Sequence, residues 1–231
     1  MQQLPLGVRL RIASNFASFA SGENAALVAA AEARATQSRL PPLWIWSTHG
    51  AGRSHLLQAS CARAAEFKRR AGFLPLAADW PLPALLAGFE SLDLVCLDDI
   101  DAVVGSADWQ QALFVFYNEL VEQGGNLIIS ADRPPQALEF SLKDLGSRLC
   151  AALVWQVRPL AEAEQATALQ ARAATLGIEL NEDVLQYLQR RLPRDLGALC
   201  DALDRLDAAA LAQQRRLTVP FVRSVLQFAG D

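Results

Sequence analysis

Short apolar runs alternate with segments of helical spacing along the first two-thirds of the chain. Leu43-Trp44-Ile45-Trp46, Leu92 to Leu97, Asn126 to Ser130 and Leu153 to Val157 are runs of mostly apolar residues, as expected of strands buried on both faces. Between them, apolar residues return at three- and four-residue steps. Leu27, Val28 and Ala31 predict a helix over Asn24 to Arg34, and a second helical pattern runs from His55 to Lys68. Trp109, Leu113, Phe116, Tyr117 and Leu120 predict a third helix, which Gly124-Gly125 ends. Strands alternating with helices in this way predict an α/β fold with a parallel, doubly wound sheet, whose ligands sit at the carboxyl ends of the strands. After Arg158-Pro159-Leu160 the strand signals stop. Helices are predicted over Ala161 to Ala174, Glu182 to Leu192 with Asn181 as N-cap, Asp195 to Ala212, and Val219 to Gln227 with Thr218 as N-cap. The expected division is a lead-in over 1–12, an α/β base over 13–159 and a small all-helical domain over 160–231.

Composition narrows the function classes. Apolar residues make up 52% of the 231 positions and charged residues 20%, enough to bury a core and too apolar for extended disorder. The 21 Lys+Arg against 25 Asp+Glu give a net charge of −4, a weak basis for gripping a phosphate backbone without help. Cys61, Cys96, Cys150 and Cys200 are far apart and only His49 and His55 accompany them, so no metal-ligand spacing exists and a reducing compartment is expected. No apolar stretch approaches the roughly 20 residues that span a bilayer, and Met1-Gln2-Gln3-Leu4-Pro5 lacks the pattern of a signal peptide. The expected location is therefore cytoplasmic, with no membrane contact.

The chemistry is concentrated where the first strand meets its helix. A phosphate loop, G-x-x-x-x-G-K-[ST], uses glycines to let backbone N–H groups wrap phosphates, a lysine to reach the outer ones and a hydroxyl to bind Mg²⁺. Ser47 to Ser54 occupies that position between strand and helix, with Gly50, Gly52 and Ser54 in place, Ser47 at the first glycine and Arg53 at the lysine. A guanidinium is a planar fork, not a point charge, so binding should survive this exchange better than hydrolysis. Asp98-Asp99 ends the second strand, where a phosphate-loop protein holds its Mg²⁺. Nucleotide binding is the reading these two features favour together.

With loop, acid pair and helical C-terminal part in hand, the sequence resembles the DnaA-related AAA+ family, over nearly its whole length and most closely the branch of DnaA inactivators. Phe16-Ala-Ser-Phe19 with Gly22 and Asn24 resembles the family's lead-in to the adenine pocket, which implies that Phe16 and Phe19 flank the base. His49, Gly50, Ala51, Gly52, Arg53, Ser54 and His55 match Walker A, with His49 lining the loop and His55 an ordinary helix residue, and Asp98 and Asp99 match Walker B. Ser54 and Asp98 are thereby the implied Mg²⁺ ligands. Ser130-Ala-Asp132-Arg133-Pro134-Pro135 resembles sensor 1 and implies a role for Asp132 at the nucleotide, while Arg194-Asp195-Leu196 resembles sensor 2, whose arginine reaches the phosphates from the lid. Lys143 to Leu149 resembles the segment that ends in an arginine finger. Leu142, Leu145 and Leu149 recur at i, i+3 and i+7, so Arg148 projects off the packed stripe.

Gln3-Leu4-Pro5-Leu6 resembles a sliding-clamp-binding peptide in which Gln3, Leu4 and Leu6 enter the clamp's pocket. DnaA follows its lid with a helix-turn-helix domain, and this chain reaches Asp231 directly after the lid. The resemblance implies an adaptor with bound nucleotide, ADP or ATP, that docks on the DNA polymerase III clamp and turns Arg148 on the nucleotide of DnaA, reaching DNA only through the clamp at the replisome. An ATPase in its own right, with Asp99 orienting the attacking water, is the alternative. An anchoring module that touches DNA or membrane through Arg190-Arg191 and Arg215-Arg216 is a third reading. Self-association stays open.

Overall fold

Trp44 is fully buried on the strand Leu43–Trp46 (β1), which lies inside a five-stranded parallel sheet in a computed structural model describing residues 15–47, 50–78, 81–193 and 196–227. The other strands are β2 (Ala71–Pro75), β3 (Leu94–Asp98), β4 (Asn126–Ala131) and β5 (Leu153–Gln156), in the order β2-β3-β4-β1-β5. Every residue of β3 and β4 is buried, which explains why Leu94 to Leu97 and Leu127 to Ile129 run apolar without alternation. The polar members Asn126, Ser130 and Asp98 lie at or near the strand ends and are hydrogen-bonded. The helices of this part are α1 (Ala25–Thr36), α2 (Arg53–Glu66), α3 (Ala107–Gln123) and α4 (Lys143–Cys150). Gly124 ends α3 in the left-handed conformation at φ 80°, its N–H donating to Leu120 and Val121 carbonyls, as the Gly-Gly pair predicts.

The strand β2 was not among the four expected. Its sequence, Ala-Gly-Phe-Leu-Pro, has a glycine and a proline in five positions, and only Leu74 is buried. It holds its place because an edge strand needs one partner, here β3, paired from Ala71↔Leu94 to Pro75↔Asp98. The register of the inner strands matters more for chemistry. β1 pairs β4 up to Trp46↔Ala131 and β3 pairs β4 up to Leu97↔Ile129, so Ser47, Asp98, Ser130 and Ala131 emerge together at the carboxyl edge.

Two compact units divide the described chain: one of residues 15–19, 24–47, 53–78 and 81–157, the other of 20–23, 50–52, 158–193 and 196–227. The second unit has its own core under α5 (Glu162–Thr175), α6 (Glu182–Arg191), α7 (Leu196–Gln213) and α8 (Val219–Leu226), centred on Leu169, Leu188, Leu203, Leu206 and Phe221. The Asn181 side chain accepts the Val184 N–H at 3.0 Å and the Thr218 hydroxyl the Phe221 N–H at 3.4 Å, the two caps expected from the sequence. Arg172 of α5 donates to Asp204 of α7 at 3.0 Å. No helix among the described residues is long and apolar enough to cross a membrane.

Candidate nucleotide site

Arg53 opens α2 with only 7% of its side chain exposed, and its guanidinium points inward. It donates to the Ser47 carbonyl at 2.7 Å, to the Ala131 carbonyl, and to Oδ1 of Asp99 at 2.8 Å. One side chain therefore joins the ends of β1, β4 and β3. A guanidinium can do this because its donors lie in a fixed plane and can meet several acceptors at once, which an ammonium on the same stem could not match. Asp99 is fixed in turn. Its backbone is left-handed at φ 54°, a conformation that costs a non-glycine residue about 1–2 kcal/mol, and its N–H donates to Ser130 Oγ at 2.8 Å.

Ser130 links the two acids, for its hydroxyl donates onward to Oδ1 of Asp98. Asp98 is 4% exposed, and its carboxyl also hydrogen-bonds with the Ser54 side chain. Burial raises the Asp98 pKa above the ordinary carboxylate range. The two serine hydroxyls and Arg53 oppose that rise, whereas the neighbouring Asp99 charge adds to it. The native state thus keeps this proton at pH values where the unfolded chain has lost it. Asp98 accordingly makes stability fall as pH climbs from the usual carboxylate pKa to the raised one, with no further change above it. In Asp98→Asn that contribution to the slope is expected to vanish, with stability at pH 7 within about 1 kcal/mol of the parent; urea unfolding of both chains between pH 4 and 7 checks it.

The cluster is chemically suited to a hard divalent cation with phosphates. Mg²⁺ takes one or two carboxylates, hydroxyls and water, and Asp98 beside Ser54 supplies that kind of donor set. Among the described residues no group of three or more His, Cys, Asp or Glu could hold a metal alone, so substrate oxygens would have to complete the shell. Gly50 and Gly52 have φ of 81° and 93°, which glycine adopts without steric cost, and Ala51 lies between them.

Other expected residues fall in separate places. Phe19 meets the His55 ring edge-on at 5.6 Å, and His55 Nε2 lies 3.2 Å from Ser18 Oγ and 3.1 Å from the Asn15 carbonyl, so His55 ties the chain before α1 to α2. Phe16 lines a cleft of about 380 Å³ with Arg63, Glu32 and Glu66. Asp132 is held in a two-pronged pair with Arg133, 2.7 Å for each bond, which lowers its pKa, while its N–H donates to Asp101. Arg148 lies on α4 with its guanidinium 5.2 Å from the Phe114 ring centre and 5.6 Å from that of Tyr117. Burial raises the Tyr117 pKa, and the Arg148 charge works against it. Gln3, Leu4, Leu6, His49 and Arg194 lie outside the described residues.

Sequence reasoning passed over Ser130 and Asp101 as site residues. The signal for Ser130 is the strand register, which sets it beside Asp98 once β3 and β4 are known to be neighbours. Asp101 carries no pattern of its own, because its partner is a backbone N–H on another strand's exit.

The comparisons with known proteins meet at this site and at the helical unit. The bacterial DnaA ATPase-domain family matches residues 82–156, which contain Asp98, Asp99, Ser130 and Arg148, and the Hda lid-domain family matches 162–226. The chain is a DnaA- and Hda-related AAA+ protein. Domain III of the Thermotoga maritima replication initiation protein DnaA has the same fold, with a TM-score of 0.81 at 23% identity over 97% of this chain and 100% of that one. AMPPCP-bound DnaA from Aquifex aeolicus superposes with a TM-score of 0.70 at 21% identity, over 90% of this chain and 70% of that one. The Thermotoga maritima RuvB Holliday junction branch migration motor gives 0.68 at 11% identity, over 95% and 73%, so the AAA+ fold extends well beyond the initiators. Within that fold, Arg53 stands at the position where the Walker A pattern has lysine, and this AAA+ protein turns the side chain toward its own strand ends.

Proposed function

We propose that this AAA+ protein regulates replication initiation by acting on the nucleotide of the initiator DnaA while docked on the sliding clamp, the β subunit of DNA polymerase III. The observation that carries the reading is Arg148: an exposed guanidinium seated on two aromatic rings, with no carboxylate in ion-pair distance among the described residues. A cation left uncompensated at the surface is available to charge that develops on another molecule, which is what an arginine finger meets in phosphoryl transfer. The chain's own nucleotide, ADP or ATP, would be held by Gly50, Ala51, Gly52 and Ser54, with Mg²⁺ on Ser54 and Asp98 and the base near Phe16, Phe19 and His55. Asp132, with His49 and Arg194 on the strength of the family resemblance, completes that set. Bound there, the nucleotide would supply a charged phosphate tail for the backbone N–H groups of the glycine-bearing loop.

Two features count against hydrolysis in this site. Arg53 is spent on Ser47, Ala131 and Asp99, and Asp99, the residue that would orient a water, is engaged by that same arginine. Clamp docking through Gln3, Leu4 and Leu6 would supply the DNA tether that a chain of net charge −4 does not. The test is phosphate release from ATP-loaded DnaA on clamp-loaded DNA. Release should accelerate only when both this chain and the clamp are present, and a chain lacking its first eight residues should lose both clamp capture in a pull-down and the acceleration. Acceleration that is indifferent to the clamp, or comparable turnover by this chain alone, would overturn the proposal.

A further inference from the structure

Helix α3 presents two distinct faces. Phe114 and Tyr117 lie under Arg148, whereas Asp108, Val115, Phe116 and Glu119 line a groove of about 410 Å³ bounded across from them by Leu86 and Glu90. Its floor is apolar: Leu86 and Phe116 are each 3% exposed, and Val115 stands 44% exposed to water at the centre of the helix face. Its rim is acidic without relief, for residues 81–91 and 107–123 carry Glu90, Asp108, Glu119 and Glu122 and not one Lys or Arg. Glu90 accepts the Gly88 N–H at 2.7 Å, and no ion pair engages Glu90, Asp108 or Glu119 among the described residues.

We propose that this groove docks a cationic amphipathic helix of a partner protein, with apolar side chains on Val115 and the Leu86–Phe116 floor and Lys or Arg at Glu90, Asp108 and Glu119. The charge decides the occupant. Three uncompensated carboxylates around an apolar floor repel nucleic acid and anionic ligands, and they attract a basic segment both in steering and in register. The length fits as well. From Asp108 to Glu119 the helix face runs about 16 Å, or three turns, the reach of a helix laid in a groove by anchors at i, i+4 and i+7. Because the groove faces away from Phe114 and Tyr117, occupancy here is independent of the Arg148 reading.

A synthetic three-turn peptide with leucines on one face and lysines and arginines on its flanks serves as the probe, titrated into the full chain by fluorescence anisotropy with amide NMR shifts locating the contact. Binding should be lost in Val115→Lys and weakened at least about tenfold in the combined Glu90→Gln, Asp108→Asn, Glu119→Gln variant. It should also fall steeply with salt and shift amides at 83–90 and 108–119. All four positions are on the surface, and unchanged thermal unfolding of both variants confirms that the fold is intact. The proposal is overturned if a control peptide with serines for leucines binds equally well, if Val115→Lys binds like the parent, or if the groove proves instead to be where a second copy of this chain associates.

Discussion

Replacing Arg148 by alanine is expected to remove stimulation of the initiator's ATP hydrolysis, lowering the accelerated rate by a factor on the order of 10³–10⁵. The structural cost should be small by comparison. Arg148 is exposed, and its contacts are the faces of Phe114 and Tyr117, interactions worth about 0.5–1 kcal/mol each at a solvent-accessible site. Leu145 and Leu149, which fix α4 in the core, are untouched by the change. Arg148→Lys separates charge from shape: it keeps the positive charge but loses the planar fork, and so should recover only part of the lost rate. Single-turnover phosphate release at saturating chain, with clamp pull-down and thermal unfolding on the same preparations, reads all three quantities. An Arg148→Ala chain that accelerates hydrolysis normally means that the finger is another residue. One that no longer binds the clamp or no longer folds means that Arg148 is structural.

How much of this was legible beforehand follows from which interactions are local. β1, β3 and β4 could be read directly, because burial on both faces forces a mostly apolar run. β5 was legible from its apolar residues too, although as an edge strand beside β1 it has no buried residue, and Leu153 is 43% exposed instead of covered on both faces as expected. β2 could not, since an edge position tolerates glycine, proline and half-exposed residues. The projection of Arg148 off its stripe was legible from the spacing of Leu142, Leu145 and Leu149, whereas the rings beneath it come from α3 and depend on tertiary packing. Arg53 is the instructive departure. Its place in the loop pattern suggested a side chain reaching for phosphate, but the strand order brings two carbonyls and a carboxylate within its reach, and a fork of fixed donors satisfies all three. No linear motif encodes that convergence.

Asn126 shows the same point in the scaffold, and its removal should have the largest effect on stability. It is fully buried at the first position of β4 and uses both ends of its amide: Oδ1 accepts the Leu40 N–H at 2.9 Å, and Nδ2 donates to the carbonyls of Arg34 at 2.7 Å and Gln37 at 2.6 Å. Those carbonyls belong to the C-terminal end of α1, where a helix leaves acceptors without internal partners. Arg34 itself is 4% exposed and donates to Ala30 and Pro41 carbonyls, and burial lowers its pKa, so its charge already weighs against the same connection. Asn126→Ala strips three hydrogen bonds and leaves three groups without partners, at about 1–3 kcal/mol each. Even at the lower end, a loss of about 3 kcal/mol is a large part of the 5–15 kcal/mol that holds a typical domain folded. Asn126→Asp should not rescue it, because a carboxylate keeps the bond to Leu40 while setting a buried negative charge against two carbonyl oxygens. Urea unfolding followed by tryptophan fluorescence, with Trp44 and Trp46 on the adjacent strand as reporters, should therefore give midpoints well below the parent for both variants. Parent-like midpoints would mean that water replaces the amide at the α1–β1 connection. That connection leads directly into Ser47 and the loop, so its loosening should also weaken whatever the loop binds.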